Sequence, residues 1–124
     1  MKFSLDKTHS LYTIDGFTPH SVTVAQHEYT NHLIVTPERI FTDWRPPAVN
    51  RLGSTDFACL AELELEVILL GTGNTQIFPP QLLQVELARA GTGFEVMTTP
   101  AACRTFNILA SEGRRVAAAL IIGI

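Results

Sequence analysis

Charge is scarce in this sequence. Asp, Glu, Lys and Arg make up 17% of its 124 residues, against 46% apolar residues. That balance excludes a disordered chain and leaves less polar surface than usual, so part of the apolar surface is expected to meet a partner. No sign of charge is in large excess. The formal net charge is −3, and no basic stripe of the kind that phosphate backbones require is present, which excludes nucleic acid as a partner. Cysteine is nearly absent: Cys59 and Cys103 are too few for a disulfide framework, and their apolar neighbours point to two buried thiols. Long hydrophobic runs are missing too. The longest, residues 116–122, is far short of the roughly 20 residues that span a bilayer. The opening MKFSLDKTHS is broken by Asp6 and Lys7 and does not read as a signal peptide. The expectation is a soluble chain, not membrane-spanning and, in a bacterial cell, cytoplasmic.

The length suits one domain over residues 1–124 with a continuous core. In the first half, short alternating runs at 11–14, 21–24, 32–35 and 40–44 are punctuated by Asp15-Gly16, Asn31 and Thr36-Pro37. Spacings this tight permit only antiparallel hairpins. The second half changes period. Residues 64–70 form an apolar run suited to a strand buried on both faces, ended by Gly71-Thr72-Gly73. In PPQLLQVELARAG, Leu83, Leu87 and Ala90 fall at helical spacing, with Pro80 in the first turn and Gly91 as the stop. A strand at 94–97 follows. Thr99 is expected to cap the next helix, with Pro100 at its first position, Ala102, Phe106 and Leu109 on its buried face, and Gly113 at its end. Residues 115–122 make a last strand, and STDFACLAEL a short helix capped by Ser54 or Thr55. The C-terminal half is therefore a parallel βαβαβ unit with right-handed crossovers.

One place on this scheme draws chemistry together. VILLGTGN runs from a strand into a loop, where parallel sheets bind ligands. The dinucleotide fingerprint fails, because its third glycine would fall at Gln76. No Gly-Lys-Ser/Thr follows either, so no nucleotide cofactor is implied. On a helix from 100 to 112, Arg104, Asn107 and Ser111 share a face, near an N-terminus whose free N–H groups favour anions. Gly71, Thr72, Gly73, Thr99, Arg104 and Asn107 are thus the candidate ligand residues for a small anion, a carboxylate or phosphate. The same residues equally suit a clamp in which Arg104 holds loop carbonyls at 71–74. No catalytic residue stands out. Cys103 lacks a nearby base, His9, His20, His27 and His32 are too scattered for a metal site, and Glu62, Glu64 and Glu66 alternate as a solvated face does.

Three motifs, DGFTPHSV, EVILLGTGN and FEVMTTPAACRTFNILASEGRRVAAALI, resemble in content and order a family of small single-domain proteins. That family includes the animal adipogenesis-associated domain protein and the third assembly factor of mitochondrial respiratory complex I. The likeness runs from about Tyr12 to Ile122. It implies an α/β fold of three layers, β/β/α, with a mixed sheet and helices on one side. It brings no catalytic residues and no cofactor. Asn74 and Thr98 stand where family members often carry an acidic residue, and the ending Gly123-Ile124 replaces a proline-rich tail. The resemblance implies a non-enzymatic protein-interaction or assembly-factor-like module with a protein partner. The alternative is an anion-binding protein or enzyme built on the 71–73 loop and the Arg104 helix.

Overall fold

The computed structural model describes residues 11–123. The first half builds two antiparallel units. β1 (Ile14–Thr18), β2 (Ser21–Val24) and β3 (His27–Tyr29) form a three-stranded sheet in that order. β4 (Leu33–Val35) and the short β5 (Ile40–Phe41) pair antiparallel in a second, five-stranded sheet. The C-terminal half adds β6 (Val67–Gly71), α1 (Gln81–Arg89), β7 (Gly93–Met97), α2 (Thr99–Ser111) and β8 (Val116–Leu120) to that sheet.

The larger sheet runs β5-β4-β8-β6-β7. β6 pairs parallel with both β7 and β8, as the strand–helix alternation predicts, while β4 joins the other side of β8 antiparallel. The sheet is therefore mixed, and the N-terminal half supplies its antiparallel edge. The chain crosses it twice, from β6 out to β7, then back past β6 to β8. Two crossovers of one hand that run in opposite directions must lie on opposite faces. The packing follows that rule. On one face Val67, Leu69, Val116 and Ala118 meet Ala102, Cys103 and Phe106 of α2, together with Ile14, Val22 and Val24 of the small sheet. On the other, Ile68, Leu70, Ala117 and Ala119 meet Leu83 and Leu87 of α1 and the Trp44–Leu60 region. The three layers implied by the resemblance are present, but the helices are divided between two faces instead of sharing one. β8 is lined by Ala117, Ala118 and Ala119, all fully buried, which lets a layer approach closely from each side.

Several local expectations shift. Asp15-Gly16 is not a turn. It lies inside β1 at a β-bulge, where the register with β2 slips between Ile14 and Gly16. The chain reverses instead at Pro19-His20, and again at Ala25-Gln26, which take φ of 51° and 65°. These two residues connect β2 to β3 as a two-residue hairpin with both centres left-handed, a turn that favours Asn-Gly. β3 has no signal in the sequence because neither Ala nor Gln announces such a turn. Ser54–Leu60 is a 3-10 helix, and its cap is neither Ser54 nor Thr55: the Asp56 carboxylate accepts from the Gly53 N–H at 2.8 Å. Residues 42–44 leave the strand, and Trp44 turns inward to donate its indole N–H to the Asp56 carbonyl at 2.8 Å.

Candidate functional site

The carboxyl ends of β6 and β7 meet at the loop that the sequence singles out. Gly71 closes β6 directly beneath the first turn of α2. A Cβ there would stand 2.9 Å from both Thr99 Cα and Thr99 Oγ1, so only glycine permits this approach. Gly73 has φ of 97°, a conformation that also favours glycine.

Two threonines then tie the loop shut. The Thr72 N–H donates to the Met97 carbonyl at 2.9 Å. The Thr72 hydroxyl donates to the Thr75 carbonyl at 2.7 Å and accepts from the Ile77 N–H at 3.1 Å. Thr99 does more. Its hydroxyl accepts from the Gly73 N–H at 2.8 Å and donates to the Ile121 carbonyl at 2.7 Å, while its own N–H donates to the Gly73 carbonyl at 2.9 Å. One side chain thus joins the β6 loop, the start of α2 and the end of β8. It is free to do so because Thr98, one residue earlier than expected, is the cap, its hydroxyl facing the Ala101 N–H at 3.4 Å. Thr99 is the first helical residue and Pro100 the second.

This arrangement leaves little for a ligand. The N–H groups of Gly73, Thr99 and Ala101 are engaged, and Pro100 has none. The space beside Gly73, Asn74, Thr99 and Pro100 is about 10 Å³, the room of a single water at most. Among the described residues no buried side-chain polar atom lacks a hydrogen-bond partner, as expected of a structural joint.

Arg104 and Asn107 do share a face of α2, but it turns to β1 and away from the loop. Asn107 Oδ1 accepts from the Ile14 N–H and its Nδ2 donates to the Ile14 carbonyl, both at 2.8 Å. Its amide thereby completes the hydrogen bonds of the edge strand β1. Arg104 is exposed, with its guanidinium carbon 5.5 Å from the centre of the Phe17 ring. It is not a clamp on the 71–74 carbonyls. Ser111 bonds within its own helix, to the Ile108 carbonyl at 2.7 Å. Gly71, Thr72, Gly73 and Thr99 are therefore one site, and Arg104 and Asn107 belong to another.

Cys103 is buried, and desolvation pushes its thiol up to about 12 against the opposing pull of Arg104. At neutral pH it is a packed thiol, not a thiolate. Cys59 departs from expectation: it is exposed, and both cysteines are free. His32, which nothing in its sequence surroundings sets apart from the other histidines, has a defined role. Its Nδ1 accepts from the Ile122 N–H at 3.0 Å and so fastens the strand that β8 continues into, and burial lowers its pKa from the ordinary 6.5.

Open space lies at the amino ends of the parallel strands instead. A cleft of about 550 Å³ runs between the Ser54–Leu60 turn and the end of α1, and one of about 280 Å³ lies beside Pro37, Arg39 and Ala110. Leu65 and Arg115 border both. Here Glu66 accepts from Arg114 Nε at 2.7 Å, and Arg115 Nε donates to the Glu64 carbonyl at 2.7 Å. The hydrogen bond from Arg114 holds the Glu66 carboxyl below its ordinary range, with help from the Arg115 N–H. Alternation marks Glu62, Glu64 and Glu66 as solvated. It does not reveal the pairing with Arg114, which joins positions 48 residues apart. Among the described residues, no three of His, Cys, Asp and Glu converge in a way that could hold a metal ion, and no helix is long and apolar enough to cross a membrane.

The fold defines a three-layer mixed α/β protein in which Gly71, Thr72, Gly73 and Thr99 join the β6 loop to the start of α2 and the end of β8. Residues 14–121 match the family described as "Protein of unknown function (DUF498/DUF598)", and the chain belongs to that family. A Mus musculus protein named NADH dehydrogenase (ubiquinone) 1 alpha subcomplex assembly factor 3 is 32% identical over 111 residues, covering 87% of this chain and 59% of that protein. The chain thus spans less than two thirds of that relative's length. An uncharacterised protein of Rhodobacter capsulatus is 36% identical over 110 residues, covering 87% of this chain and 82% of that one. Among solved structures, the NMR structure of a Xanthomonas campestris protein is similar with a TM-score of 0.82 at 36% identity, covering 90% of this chain and 85% of that one.

Proposed function

We propose that this chain is a non-enzymatic protein-interaction module with an assembly-factor-like role, acting in the cytoplasm. The observation that carries the reading is the sealed edge. Where an α/β domain would hold a ligand, Thr99 takes the Gly73 N–H, Thr72 takes the Ile77 N–H, and about 10 Å³ remains. The name of the mouse relative supports the same direction. On this reading Gly71, Thr72, Gly73 and Thr99 hold the fold, Asn107 holds β1, and Arg104 is a surface residue.

Affinity purification of the tagged chain from its native host tests this, paired with thermal melting in phosphate and in simple carboxylates. The expected outcome is a reproducible stoichiometric protein partner and an unchanged melting temperature. A melting temperature that rises with phosphate or carboxylate and loses that rise in Thr99→Val, with no protein partner recovered, would establish the anion-binding alternative.

A further inference from the structure

Charge is unevenly spread around the smaller cleft at the amino ends of the parallel strands. Its floor is apolar: Leu63 and Leu65 are half-buried, Ala110 is buried and Leu11 is 38% exposed. Three exposed arginines stand around that floor. Arg39 comes from the turn between β4 and β5, and Arg114 and Arg115 from the loop between α2 and β8. The whole chain has only nine basic residues, so three at one cleft of about 280 Å³ is a concentration.

The carboxylates around it do not balance these arginines. Arg114 Nε and Arg115 Nη1 share one carboxylate, Glu66, at 2.7 and 3.4 Å, and the cleft's own lining adds only Glu38. Arg39 makes no ion pair among the described residues. Its guanidinium carbon lies 4.7 Å from the centre of the Phe41 ring, a stacking that holds the planar group without using its donors. Positive charge is thus in local excess on a chain whose formal net charge is −3. The larger cleft differs, because there Arg115 is matched by Glu64. Pairing within the fold accounts for Arg114 and Arg115 but not for Arg39.

An apolar floor ringed by unspent guanidinium donors defines what fits. An inorganic anion would leave Leu63 and Leu65 without contact, and a purely apolar group would cover the donors unpaired. Cations from two separate elements match two carboxylates with an apolar side chain between them, which is the pattern of an acidic peptide segment. Residues 1–10 carry Lys2 and Lys7 against a single carboxylate, Asp6, so the segment that precedes Leu11 has the wrong sign to be the occupant.

We infer that this cleft docks a short acidic segment of the protein partner, with an apolar side chain on Leu63 and Leu65 and flanking carboxylates on Arg39 and on the Arg114-Arg115 pair. The inference rests on the interaction-module reading and names the chemistry of the partner that module takes.

The probe is a short synthetic peptide with a Leu between pairs of Glu, titrated to about 10 mM into the isotope-labelled full chain and followed by NMR. Amide shifts at Leu63, Leu65, Ala110 and Gly113 should saturate with a dissociation constant of about 1 mM or below. Arg39→Glu should weaken binding at least about tenfold, and Arg39→Lys less, since it keeps the charge and loses only the planar fork. Position 39 is exposed, so both variants should keep the wild-type melting temperature, which is measured alongside. The same peptide with Lys for Glu should not bind, and with Ser for Leu it should bind at least about tenfold more weakly. Absence of shifts at the cleft overturns the inference. So does a response that Arg39→Glu leaves intact, or one that the Ser peptide reproduces in full, which is screened charge attraction alone. Octanoate that shifts the same amides as strongly as the peptide also overturns it, and assigns the cleft to a small amphiphilic acid. None of these outcomes touches the interaction-module reading, which fails separately if no stoichiometric protein partner is recovered from the host.

Discussion

Thr99 joins three separate segments through one hydroxyl, which accepts from the Gly73 N–H at 2.8 Å and donates to the Ile121 carbonyl at 2.7 Å. Valine has the same shape without the hydroxyl, so Thr99→Val strands a buried donor and a buried acceptor. The expected cost is about 2–4 kcal/mol in urea unfolding, from ~1–3 kcal/mol for each unsatisfied group. Thr99→Ser should lose much less, because the hydroxyl remains. Gly71→Ala meets the Thr99 backbone and a Thr99 hydroxyl held by two hydrogen bonds, and should cost about 1–3 kcal/mol as overpacking. The sequence marks these residues as one place, since strand, Gly-x-Gly and a capped helix must converge at one sheet edge. It cannot choose between Thr98 and Thr99 as cap, because both can accept from the helix and Pro100 is tolerated at either of the first two positions. That one-residue ambiguity separates a cap from a three-way joint. His32 is harder still to read, as its partner Ile122 lies 90 residues away. Because its folded pKa is depressed, the unfolded chain binds the proton more tightly. The His32 contribution to stability is therefore present above pH 6.5 and is lost as pH falls through the lower folded value. Urea midpoints at pH 7 and pH 5 should differ more for wild type than for His32→Asn, whose amide oxygen can still accept from Ile122. An equal difference in the two proteins would contradict this.

At the scale of elements, the parallel strands and both helices are legible because each is announced by several signals that agree. β6 is a fully buried apolar run, and Pro and Gly bracket the helices. The hairpins are less legible. A left-handed turn written as Ala25-Gln26 gives no local cue, and it survives because the Asp15 carboxylate at the β1 bulge accepts from the Gln26 N–H at 2.9 Å. Replacing the pair with Asn-Gly supplies residues suited to both dihedrals. A gain of about 1 kcal/mol is expected in thermal or urea unfolding, and a loss would show that the side chains present make contacts that outweigh the strain. Asn107 illustrates the same limit. Its place on the α2 face beside Arg104 is legible, but its target, both backbone groups of Ile14, is set by how the small sheet leans on the helix.

Across the whole molecule, the reversal of direction after β7 sends the helices to opposite faces and places the two clefts at the amino ends of the parallel strands. Sequence patterns identify which residues are buried without saying which layer covers them, so they point to the loop end as the open one. The central claim is that this loop end is closed by the protein's own groups. Amide hydrogen exchange of Gly73 and Thr99, followed by NMR with and without phosphate or a simple carboxylate, tests it most directly. Closure predicts that both amides exchange as slowly as those of β6 and β8, and that neither rate changes on adding the anion. Fast exchange in the free protein that slows as phosphate or carboxylate is added would mean an open loop that closes on a ligand, and would contradict the account.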